Sequence, residues 1–136
     1  MSRVGKKPLT IPEKVNLTIS GKSIKAKGPK GELEINIPDG IDFNIENNTL
    51  TFSRSNDEKK IRSLHGLTRA LTNNVIEGVF NGFTKTLIIE GVGYKAEMKG
   101  ENLMLSLGFS HPVLIIPPTG VSLSLTGNNT INISAI

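Results

Sequence analysis

A chain of 136 residues with 37% hydrophobic content can bury one ordinary core or two small ones, and small cores are only marginally stable by themselves. The absence of cysteine excludes a disulfide framework and thiolate metal sites, and no apolar run is long enough to cross a bilayer, so a soluble, intracellular protein is expected. The net charge of +4 is unevenly placed: up to Lys30 eight basic residues stand against Glu13 alone, a surplus of +7, whereas no charged side chain occurs beyond Glu101. Such asymmetry turns the basic end toward a polyanion.

In chain order, Met1-Ser2-Arg3-Val4-Gly5-Lys6-Lys7-Pro8 is basic but lacks the apolar core of a signal peptide, and reads as a flexible arm. Alternation of apolar and polar residues then predicts strands at 15–20, 23–27, 32–37, 42–46 and 49–54, with Gly28-Pro29-Lys30-Gly31 and Asn47-Asn48 as turns of an antiparallel meander. At Ser55 the period changes. Ser55-Asn56-Asp57-Glu58 has the spacing of a capping box, which predicts a helix starting there and closed by Gly78 and Gly82. At roughly 100° per residue, Ile61, Leu64, Leu67, Leu71 and Val75 share one face, with Lys59, Arg62, Arg69 and Asn73 opposite. A sheet with one apolar face and a helix with one apolar stripe cover each other as a two-layer α+β domain.

The second half predicts strands only, at 85–90, 94–99, 102–108, 112–116, 121–125 and 130–136. It repeats the first half. Ile24-Lys25-Ala26 is matched by Tyr94-Lys95-Ala96, Ile37-Pro38-Asp39-Gly40 by Ile116-Pro117-Pro118-Thr119-Gly120, and Asn47-Asn48-Thr49-Leu50 by Asn128-Asn129-Thr130-Ile131. The fold class expected is therefore α+β with two tandem duplicated domains, each a mainly antiparallel sheet packed with one helix. The first spans 1–82 with the basic arm. The second, 83–136, is incomplete: by analogy a helix should follow Ile136, so the natural product is expected to continue.

Candidate chemistry is sparse. Gly91-Val92-Gly93-Tyr94-Lys95-Ala96 fits the spacing of a dinucleotide fingerprint, but Tyr94, Ala96 and Met98 alternate as a strand where that fingerprint needs a helix. His65, placed between the apolar and basic helix faces, and His111, in a loop before Pro112, lack partners for nucleophilic or metal chemistry and read as polar surface residues. No catalytic residue, cofactor, metal or small-molecule substrate is expected. The basic arm together with Arg62, Arg69 and Asn73 would track a phosphate backbone. The few aromatics read mostly as core residues, which argues against base-stacking platforms.

Five segments in register carry a resemblance: the N-terminal eight residues, Lys27-Gly28-Pro29-Lys30-Gly31-Glu32-Leu33, Ser63-Leu64-His65-Gly66-Leu67-Thr68-Arg69-Ala70-Leu71, Gly91-Val92-Gly93-Tyr94-Lys95-Ala96 and Gly108-Phe109-Ser110-His111-Pro112. Together they resemble the family of bacterial large-subunit ribosomal protein six over the whole chain. The resemblance implies two duplicated α+β domains and a structural role in the large subunit, bound to 23S ribosomal RNA near the stalk base and the sarcin-ricin loop. Neighbouring ribosomal proteins and the landing zone of translation factors would lie close by. Carried over residue by residue, it implies RNA contacts at Ser2, Arg3, Lys6 and Lys7 on the arm, at Arg62, His65, Arg69 and Asn73 on the helix, at Lys95 on a strand, and at Ser110 and His111 in a loop. The family's second helix and basic C-terminal tail have no counterpart in this sequence. A protein–protein adaptor, docking through the apolar face of the second sheet, is the alternative.

Overall fold

The computed structural model describes residues 3–136. The chain divides into two compact units, Met1–Asn81 and Gly82–Ile136.

The first unit holds six strands and a helix: β1 (Leu9–Thr10), β2 (Asn16–Ser20), β3 (Ser23–Gly28), β4 (Gly31–Asn36), β5 (Ile41–Glu46), β6 (Thr49–Arg54) and α1 (Lys59–Asn81). They form two antiparallel three-stranded sheets, β2-β3-β4 and β1-β6-β5. In β3, Ile24 and Ala26 point inward while Lys25 and Lys27 point out, and in β6 Leu50 and Phe52 do the same against Thr51 and Ser53. That two-residue period puts one apolar face on each sheet. α1 lies across both, contacting β3, β4, β5 and β6. The shared core gathers Leu9, Ile11, Val15, Ile24, Ala26, Ile37, Ile41, Leu50 and Phe52 from the sheet side with Ile76 and Val79 from the helix. Each of the Val, Leu, Ile and Phe side chains removed from water contributes about 1.5–3 kcal/mol.

The second unit repeats the topology strand for strand. Its elements are β7 (Phe83–Ile88), β8 (Lys95–Lys99), β9 (Asn102–Ser106), β10 (Val113–Ile115), β11 (Ser122–Thr126) and β12 (Thr130–Ala135). The sheets β10-β9-β8 and β11-β12-β7 correspond to β4-β3-β2 and β5-β6-β1. Loop bonds repeat too: Ile11 N–H donates to Asn48 O and Ile89 N–H to Asn129 O, each at 2.7 Å, and Ile41 N–H to Pro38 O is echoed by Val121 N–H to Pro118 O. The turn glycines preceding β5 and β11, Gly40 and Gly120, share a left-handed φ of 86° and 88°. A duplicated α+β fold is thus present at the level of individual hydrogen bonds.

Four local expectations are corrected. The pairing of Ile24-Lys25-Ala26 with Tyr94-Lys95-Ala96 does not follow the topology, because the former lies in central strand β3 and the latter runs into edge strand β8. Ser55 is not a helix cap: its N–H still belongs to the sheet, donating to Gly40 O at 3.0 Å. Asn56 Oδ1 accepts from Glu58 N–H at 3.0 Å in an Asx turn that leads into the helix, and Glu58, whose O accepts the first helical bond from Arg62 N–H, stands at the cap position. Gly78 lies buried inside α1 rather than closing it, and the left-handed turn falls at Gly82, φ 69°. The helix face is only partly the expected one: Ile61, Leu64 and Val75 do pack against the core. Leu67 and Leu71 are 52% and 44% exposed, and the inward positions are His65, Thr68, Thr72, Ile76 and Val79.

Candidate nucleic-acid interface

The rotated helix face organises the basic surface of the first unit. Thr72 can be buried because its hydroxyl donates to Thr68 O at 2.8 Å, one turn back. His65, 1% exposed, stands one turn before Arg69 and is held by sheet atoms. Its Nε2 lies 3.1 Å from Phe52 O, a carbonyl that can only accept, so Nε2 carries the proton. Nδ1 is then the acceptor, facing Arg54 Nη1 at 3.5 Å. Arg54 is fixed by Asp57, whose Oδ1 takes its Nε at 2.7 Å and its Nη2 at 2.6 Å. The expectation of His65 as a solvent-facing contact is therefore corrected: its polar atoms find partners inside, and burial removes it from the surface.

What His65 does instead is seat the arm. Gly5 is buried against its ring so closely that a Cβ there would fall 2.6–2.8 Å from Nδ1, Cγ and Cε1. Two residues on, Lys7 O accepts from Arg69 Nε at 3.2 Å, and Lys7 N–H closes a turn onto Val4 O. The arm expected to be flexible is thus pinned along one helical turn, from His65 to Arg69. Arg3, Lys6 and Lys7 are exposed on it, Arg62 is exposed on α1, and Arg69 and Asn73 are half-buried. The bond between Arg69 and Lys7 joins arm and helix; Ser2 lies outside the described residues. Sequence reading missed Gly5 and Arg54, since a glycine between basic residues looks like a spacer and an arginine at a strand end looks solvated.

The second unit is built differently. Lys95 on β8 is exposed and ion-paired with Glu97 at 3.2 Å, an arrangement worth little in solvent and open to exchange for a phosphate. Ser110 and His111 are exposed in the β9–β10 loop, where His111 stacks on Phe109. Here too an expectation is corrected. Of the aromatics, Phe52 is buried and Phe43 and Phe80 pack against the core, but Phe83, Tyr94 and Phe109 are exposed. After Gly91 and Gly93 the chain enters β8, not a helix, so the fingerprint-like glycines form a strand-to-strand turn. Among the described residues no three His, Asp or Glu side chains stand together to hold a metal ion.

Fold and surface define a duplicated α+β protein whose first unit carries a docked basic arm. Residues 11–82 match the family model described as Ribosomal protein L6. The chain is 48% identical over 134 residues to the large ribosomal subunit protein uL6 of Synechococcus sp. (strain RCC307), covering 98% of this chain and 75% of that one. It is 46% identical to uL6 of Staphylococcus carnosus (strain TM300) and 48% to that of Tropheryma whipplei (strain Twist), in each case over all of this chain and 76% of the relative. The chain belongs to the ribosomal protein L6 family.

Proposed function

We propose that the chain acts as a structural constituent of the large ribosomal subunit in the cytoplasm, binding 23S ribosomal RNA near the stalk base and the sarcin-ricin loop rather than catalysing a reaction. Neighbouring ribosomal proteins, and translation factors passing nearby, are its other partners. The observation that carries this reading is the docked arm. Gly5 on His65 and Lys7 on Arg69 hold Arg3, Lys6 and Lys7 along the helix that bears Arg62 and Arg69. A cationic surface whose backbone is already ordered loses less entropy on meeting a phosphate chain than a free arm does. Each phosphate it neutralises releases counterions, so affinity falls steeply with salt.

The test is the salt dependence of binding to a 23S fragment containing the sarcin-ricin loop. Arg62→Glu removes one contact, and combining it with Arg69→Glu lowers the slope of log K against log salt by about 2, near 0.9 per phosphate. An unchanged slope overturns the assignment of this stripe to RNA. Exposure of Phe83, Leu87 and Ile88 on β7 supports a second reading, contact with a protein through the second unit. Such contact would show little salt sensitivity.

A further inference from the structure

Two loops of the second unit close on one tyrosine. A Cβ on Gly91 would lie 2.8 Å from Tyr94 Cδ2, and one on Gly108 would lie 3.3 Å from Tyr94 Cε1, so the glycines let both loops approach the ring edge. Tyr94 is nevertheless 43% exposed, and Phe109, next along the chain from Gly108, is 64% exposed. Phe109 does not lie loose on the surface. Its ring is stacked on His111, with centroids 5.9 Å apart and planes within 10° of parallel. His111 Nδ1 lies 3.2 Å from Pro112 O, which requires the proton on Nδ1 and leaves Nε2 of the neutral ring as an acceptor.

We infer that the Phe109–His111 pair is a stacking platform for an unpaired nucleobase of RNA, with the Ser110 hydroxyl and His111 Nε2 available to a base edge or ribose hydroxyl. This deepens the RNA-binding reading above and rests on it. No charged side chain occurs from Asn102 to Ile136, so the loop itself brings no cation to a phosphate chain, although the strand pairing sets Lys95 opposite Ser106 at its foot. Stacking is the attraction left to it, and it works on any base because every base has a π-face. A protein surface is the competing occupant. The two rings are parallel and the Phe109 ring is exposed, so a planar base can be laid on the same stack.

The experiment compares two probes of equal charge on the full chain: a short oligoadenylate and an abasic ribose-phosphate chain of the same length. Phe109→Ala is expected to weaken oligoadenylate binding about tenfold, as loss of one stacked base does, and to leave abasic binding unchanged. Phe109→Tyr keeps a ring and retains wild-type affinity. Because Phe109 is exposed, the circular dichroism of these variants stays that of the wild type. The platform is overturned if Phe109→Ala binds oligoadenylate like wild type, as it would were the loop a protein contact, or if it loses both probes equally. Equal wild-type binding of the two probes with a steep salt slope removes the platform alone, whereas no binding of either removes the RNA-binding reading with it.

Discussion

Replacing Gly28 with alanine is expected to lower the stability of the first unit by about 3 kcal/mol, read as a fall in the urea midpoint at unchanged slope. The site is where the β3–β4 turn meets the last turns of α1. A Cβ on Gly28 would fall 2.4 Å from Val79 O and 2.8 Å from Val79 C, both backbone atoms that no rotamer change can move. Val79 is itself fully buried, and its carbonyl accepts from Lys30 N–H at 3.0 Å, so retreat of the helix would also break that bond. Gly28 lacks a left-handed φ, which makes its requirement one of space alone. Gly21 supplies the contrast. Its φ is 59° but nothing lies within 4 Å of its would-be Cβ, so Gly21→Ala costs only backbone strain, about 1 kcal/mol. Equal losses for the two would remove the packing argument.

Gly5→Ala is expected to undock the arm. The added methyl would overlap the His65 ring, which cannot turn aside without giving up Phe52 O. Either the ring shifts, at about 1–3 kcal/mol for overpacking, or the arm lifts and frees the Lys7 carbonyl from Arg69. The second outcome scatters Arg3, Lys6 and Lys7, so RNA affinity falls even though no charge is lost. A double-mutant cycle separates sterics from everything else: His65→Ala makes room, so Gly5→Ala costs less in that background, with a coupling of about 1 kcal/mol or more. Simple additivity would mean that Gly5 and His65 do not act on each other.

The strands were legible because their side chains alternate strictly and their turns carry Gly, Pro or Asn pairs; β6, Thr49–Arg54, falls where the alternation puts it. β1 was not, since two residues, Leu9 and Thr10, carry no period. The helix was legible as a helix but not in its orientation. Leucines at 67 and 71 outweigh threonines in any hydrophobic count, yet Thr68, Thr72 and His65 fill inward positions, with the Thr72 hydroxyl on Thr68 O and His65 Nε2 on Phe52 O. The same misreading hid the site's key contact. Once His65 is placed on the surface, nothing in the sequence says that Gly5 must pack on it, and the arm looks unattached. Phe109 was hidden for a related reason: the apolar type predicts the core, whereas its position beside Gly108 and His111 puts it in a loop.

This chain is expected to be built into the large ribosomal subunit through RNA contact. Ribosomal particles from the source cells, separated into subunits and crosslinked before quantitative mass spectrometry, test it most directly. The expected result is one copy of this chain per large subunit, with crosslinks to 23S RNA from the arm and the Arg62–Arg69 stretch of α1. Absence of the chain from large-subunit fractions would contradict the account.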